Sequence, residues 1–86
     1  MQHIHAREHL QGGTTIRVDC DHQRNVLVMD DANYAQYRRG QAYRYHGGFY
    51  RRLPARIGVP QTGNWNTVID LAGGRANIRY NISYLG

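Results

Sequence analysis

Strict two-residue alternation in short blocks limits this chain's fold more than any other feature. In "TTIRVDC", Ile16, Val18 and Cys20 fall on one side, with Thr15, Arg17 and Asp19 on the other. "ARIGVP" sets Ala55, Ile57 and Val59 inward against Arg56 and Gly58. "WNTVIDLA" aligns Trp65, Thr67, Ile69 and Leu71, and "ANIRYNISYL" aligns Ala76, Ile78, Tyr80, Ile82 and Tyr84. A period of two belongs to strands with one face buried. "NVLVMD" at 25–30 is apolar without a break, as in a strand covered on both faces. A short first strand near 2–8 leads to a turn at Gly12-Gly13. "DHQR" at 21–24 and "QTGN" read as turns, Gly73-Gly74 reads as a loop, and Pro54 and Pro60 bracket a strand as at a sheet edge. Six or seven short strands with this spacing predict an all-β, mainly antiparallel fold, a β-sandwich or small barrel.

One segment breaks the pattern. Asp31 is placed to cap a helix, Ala32 to Arg39 give two turns, and Gly40 is placed to stop it. Tyr34 and Tyr37 share one side of this helix near 32–39. It is too short to persist alone, so it must dock on the sheet.

At 86 residues the expectation is one domain, 1–86, with a small core in which every residue counts. The single cysteine, Cys20, excludes an internal disulfide and predicts a reducing, cytoplasmic setting. No apolar run reaches the ~18 residues of a membrane span, and the first ten residues lack a signal-peptide core. No membrane partner is expected.

The net charge of +5 comes from arginine alone, which pairs bidentately with phosphate or carboxylate and stacks on rings. A GC-rich genome produces the same bias without functional meaning. "YRRGQAYRYHGGFYRR", 37–52, is the densest stretch, and no acid occurs between Ala32 and Ile69. Arg38, Arg39, Arg44, Arg51 and Arg52 supply charge, and Arg56 follows them. Tyr43 and Tyr45 offer rings for stacking, and His46 with Gly47 and Gly48 offers a polar notch with backbone donors. The competing reading makes the rings core and the arginines a solvated rim whose stems cover them. The first reading predicts a non-catalytic module whose 37–56 surface binds an anionic ligand, a nucleotide or nucleic acid being the most natural class. The alternative is a protein-interaction or oligomerisation domain working through exposed strand edges and tyrosines. Oligomeric state stays open.

Catalysis has less support. His46 could act as an acid or base only if the fold brings Asp30 or Asp70 to it, giving a small hydrolase. The chain has no phosphate loop, nucleophile elbow, CxxC or HExxH, and its one serine is Ser83. His3, His5 and His9 suggest a metal, yet their spacing lacks the ligand set zinc sites use. Asp30 and Asp31 with Asn33 are better explained as a strand end and helix cap than as cation ligands. No metal and no cofactor is expected.

Three phrases recur together: "VMDDANYAQYRRG", "YRYHGGFYRR" and "PARIGVPQTGNWNTVIDLAG". In them the chain resembles the bacterial DUF1883 family, a domain of unknown function, from His5 through the last strand. Asp30, Asn33, Tyr37, Tyr45-His46-Gly47-Gly48, Val59-Pro60, Gly63, Trp65 and Asp70-Leu71 carry the resemblance. It implies a small β-rich domain, found alone or beside TIR-type signalling domains, and so a recognition or regulatory module rather than an enzyme. Two positions depart from the family pattern: Leu53 stands where Ser is expected, and Asn66 where His is expected.

Overall fold

A computed structural model describes residues 3–21, 24–70 and 79–86. Its elements are β1 (His3–Leu10), β2 (Thr15–Cys20), β3 (Arg24–Asp30), α1 (Asp31–Arg38), β4 (His46–Tyr50), β5 (Ala55–Gly58), β6 (Gly63–Asp70) and β7 (Tyr80–Leu85). A four-stranded sheet runs β1-β6-β3-β4 and a three-stranded sheet runs β5-β2-β7. All pairings are antiparallel. The two sheets form a sandwich; they do not close into a barrel.

The alternating residues meet between the sheets. Ile16 and Val18 of β2, Ala55 and Ile57 of β5, Val26 and Val28 of β3, and Trp65 and Ile69 of β6 join Leu10 and Val59 in one core. Each fully buried aliphatic side chain here contributes ~1.5–3 kcal/mol by leaving water. The other face of the four-stranded sheet is covered by α1. Leu27, Met29 and Val68 pack there beneath Tyr37, with Tyr34 and Tyr43 alongside. This second layer explains the unbroken apolar run at 25–30, because β3 has no solvent face left.

The helix begins one residue before the position read from the sequence. Asp30, not Asp31, is the cap: its backbone is extended and its carboxylate accepts the Asn33 N–H. Asp31 is drawn away to Arg7 and Asn66. Gly40, at φ +73, turns the chain out of the helix, and the Gln41 N–H bonds back to the Gln36 carbonyl at 2.9 Å.

β1 extends to Leu10, beyond the expected 2–8. In β7, Ile82 and Tyr84 pack against the core as the alternation predicted, while Tyr80 at the strand start is 50% exposed. Leu71, Gly73, Gly74, Ala76 and Ile78 lie outside the described residues. Among the described residues no helix is long and apolar enough to cross a membrane.

Candidate functional site

The 39–54 segment is part loop and part strand. It leaves α1, runs as a loop over 41–45, and enters β4 at His46, which lies opposite Val28 of β3. β4 then runs away from that point until Tyr50 lies opposite Arg24. β4 itself spans roughly 13 Å at ~3.3 Å per residue, with Arg44 in the loop before its first residue and Arg51 just past its last. Arg38 and Arg39 lie at the end of α1. Arg56 is on β5, paired in register with Arg17 on the outer face of the three-stranded sheet. The arginines of 37–56 are all exposed, and among the described residues no carboxylate pairs with any of them; the ion pair found there is Arg7–Asp31. Arg38 rests over the Tyr34 ring, 6.0 Å from its centroid.

Four of the expected residues do come together. Tyr43, Arg44, Tyr45 and His46 line an open cleft of about 690 Å³ with Met29, Asp30, Asn33, Pro60, Gln61 and Trp65. The cleft sits where β3 passes into α1, β4 begins, and the β5–β6 turn approaches. Asp30 and Trp65 are register partners there. The volume falls within the ~300–1,000 Å³ of small-molecule pockets.

The walls are held in place by side chains with defined partners. Asp30 Oδ1 accepts both the backbone N–H and the side-chain Nδ2–H of Asn33, each at 2.8 Å. Asn33 Oδ1 in turn accepts the Arg44 N–H at 2.8 Å. The loop carrying Arg44 is thus tied to the helix start while its guanidinium stays in solvent. Trp65 is fixed by its indole N–H to the Gln61 carbonyl at 3.0 Å, and the His46 ring meets the Trp65 ring edge-on at 5.8 Å.

Tyr43 and Tyr45 take different roles. Tyr43 is half-buried, packs edge-on against Tyr37 at 5.1 Å, and has its hydroxyl pKa raised by burial. Tyr45 follows it at 5.6 Å but is 48% exposed, leaving ring area for a ligand. Gly47 and Gly48 do not line the cleft. Their φ values of +107 and +147 shape β4 instead, and a Cβ on Gly47 would run into the Val26 carbonyl.

His46 and Asp30 share the cleft, whereas Asp70 lies at the far end of β6, opposite Asn25 and His3. The cleft lining has no serine, cysteine, threonine or lysine.

A polar network that sequence reading missed occupies the helix-side face near β1. Arg7 donates to Asp31 through Nε at 3.0 Å and Nη2 at 2.8 Å. Asn66 is fully buried and donates from Nδ2 to Asp31 Oδ1 at 2.9 Å and to the Met29 carbonyl at 3.3 Å. Because its nitrogen faces two acceptors, its Oδ1 must accept, and the His5 Nε2–H donates to it at 2.7 Å. The Arg7 and Asn66 hydrogen bonds hold the Asp31 carboxyl well below the usual range, at about 2. His5 stacks on Tyr34 with centroids 4.0 Å apart, and His3 shares a hydrogen bond with the Tyr34 hydroxyl at 3.0 Å. His9 pairs with Asn64. Among the described residues no three histidine, cysteine or acidic side chains are grouped to hold a metal. Asn66 is the hub of this network. Leu53 packs against the core.

A smaller depression of about 310 Å³ is lined by Asp19, Cys20, Asp21, Arg79, Tyr80 and Asn81 and contains none of the expected binding residues.

The fold and cleft define a small antiparallel β-sandwich with one docked helix and an open pocket at one end. The chain belongs to the family described as "Domain of unknown function (DUF1883)", whose match spans residues 1–85. No curated protein and no solved structure matches the chain.

Proposed function

We propose that this protein is a non-catalytic binding module that takes a compact anionic ligand with a planar ring, of nucleotide size, in the cleft at the α1–β4 end. One observation carries the reading. Arg44, Tyr45, His46, Asp30 and Trp65 converge on a single open cleft, and Arg44 there has no carboxylate partner among the described residues. The guanidinium supplies a planar, always-charged fork for a phosphate or carboxylate. Tyr45 supplies a ring face, and stacking on such a face is worth ~1–3 kcal/mol per base. The Asp30 carboxylate, with Oδ1 already occupied by Asn33, has a second oxygen for a hydroxyl or amine donor of the ligand.

The spread of the other arginines favours one nucleotide over a strand. A polymer neutralised at about four phosphates would lose roughly 100-fold in affinity between 50 and 200 mM salt, whereas a single phosphate contact loses about threefold. The cytoplasmic setting expected from the lone cysteine suits such a ligand, and a recognition role beside a signalling domain agrees with the family resemblance.

Isothermal titration calorimetry with nucleoside monophosphates and with short single-stranded DNA tests this. Saturable nucleotide binding that Arg44→Ala weakens at least tenfold and Arg51→Ala/Arg52→Ala leaves intact is the expected result. Equal binding by both variants, or binding of the strand alone, would overturn it.

A further inference from the structure

Each sheet ends in two strands whose outer edge pairs with nothing among the described residues, and three of these four edges are guarded. β1 carries Arg7 and Glu8, both exposed. β5 has only four residues and lies between Pro54 and Pro60. β4 is short and bent by its two glycines. Charge, proline, brevity and distortion are the usual devices that stop an edge from recruiting another strand. β7 has none of them within Tyr80–Leu85, the nearest charge being the exposed Arg79 just before the strand. "YNISYL" contains no charge, no proline and no glycine, and both its ends are apolar and exposed, Tyr80 at 50% and Leu85 at 48%.

The hydrogen-bond phase of β7 fixes what the open edge presents. The Asp21 N–H donates to the Arg79 carbonyl at 3.1 Å, continuing the β2–β7 register. Backbone groups alternate between the two sides of an antiparallel strand. Residues 81, 83 and 85 therefore bond to β2, and Tyr80, Ile82 and Tyr84 turn their N–H and C=O groups to the open side. The same three residues lie on the core-facing side, where Ile82 and Tyr84 are only half-buried.

We infer that β7 is a self-association edge, and that its occupant is β7 of a second copy of this chain. An antiparallel pairing about a two-fold axis at Ile82 sets Ile82 against Ile82 of the second copy and Tyr80 against Tyr84 of the second copy. Every outward N–H then meets an outward C=O, and apolar side chains meet apolar side chains on the core-facing side. Asn81 meets Ser83 of the second copy on the solvent side. The two three-stranded sheets become one continuous sheet. Charge favours this edge over others, because a chain of net charge +5 repels its own copy least where the approaching strand is neutral. Six residues of edge give an interface below the ~1,200 Å² of stable complexes, so association is concentration-dependent. This inference is independent of the cleft.

The test combines sedimentation across a concentration series with amide hydrogen exchange. The wild type should pass from monomer to dimer as concentration rises. The Ile82 and Tyr84 amides should gain protection in step, while the Ser83 and Leu85 amides stay protected throughout. Tyr80→Pro removes an outward N–H at the first residue of the strand and costs no bond to β2. Asn81→Lys puts a charge on the edge. Each should raise the dimer dissociation constant tenfold or more with the thermal midpoint of the monomer kept. A wild type that remains monomeric at millimolar concentration would overturn the proposal. So would a dimer in which the Ile82 and Tyr84 amides exchange freely, or one that both substitutions leave unchanged.

Discussion

Asn33 and Arg44 are joined by a single hydrogen bond, Asn33 Oδ1 accepting the Arg44 N–H at 2.8 Å, and through it the helix cap and the cleft wall are one unit. Asn33 also donates twice to Asp30 Oδ1. Replacing Asn33 by Ala strands the Arg44 N–H and strips one donor from Asp30. The expected loss is ~0.5–1.5 kcal/mol of stability in urea melts, together with weaker nucleotide binding because Arg44 is no longer held. Asp30→Ala removes the cap itself and should cost ~1 kcal/mol.

Gly47 sits at φ +107, and a Cβ added there would run into the Val26 carbonyl. Gly47→Ala combines a disfavoured backbone conformation with a backbone overlap. It should destabilise by at least ~3 kcal/mol, seen by circular dichroism as a large drop in the urea midpoint.

These two residues show what sequence can and cannot disclose. Alternation at Ile16 and Val18, and at Ala55, Ile57 and Val59, is written locally, so the strands and their inward faces were legible. The unbroken run at 25–30 gave β3 its two covered faces for the same reason. The cap was misplaced by one residue because Asp30 and Asp31 both suit it, and only the distant Arg7 and Asn66 decide between them. The His5–Asn66 hydrogen bond spans 61 residues and exists because β1 pairs with β6, which no local signal encodes. The separation of Arg44 from Arg51 follows from β4 being a strand that carries the chain away from the cleft. A charge count along 37–52 cannot distinguish that from a loop that gathers its cations.

Asp31 provides a pH test with a definite sign. Its folded pKa is about 2 against an ordinary 3.8, so the ionised form favours the fold. The contribution is complete above about pH 4 and disappears as pH falls toward 2. The pair is exposed, so the effect is modest. The gap in urea midpoint between wild type and Asp31→Asn should be clear at neutral pH and shrink steadily below pH 4. A gap that widened on acidification would contradict the assignment.

Asn66 is buried among groups that depend on it. Asn66→Ala leaves the Met29 carbonyl and the His5 ring without their partner, and ~1–3 kcal/mol of stability should be lost. The Asp31 carboxyl should also titrate closer to its ordinary value, measurable by carbon-detected NMR titration, since one of its three hydrogen bonds is gone. A stable variant with Asp31 still titrating near 2 would show that Arg7 alone sets it.

Trp65 is the chain's one tryptophan, and it lines the cleft beside His46, so its fluorescence reports on that space without a label. Titrating a nucleoside monophosphate should change Trp65 emission along a saturable curve, with Arg44→Ala shifting the midpoint at least tenfold and Arg51→Ala/Arg52→Ala shifting it little. Emission that stays constant while calorimetry records binding, or an Arg44→Ala curve that overlays the wild type, would contradict the cleft as the binding site.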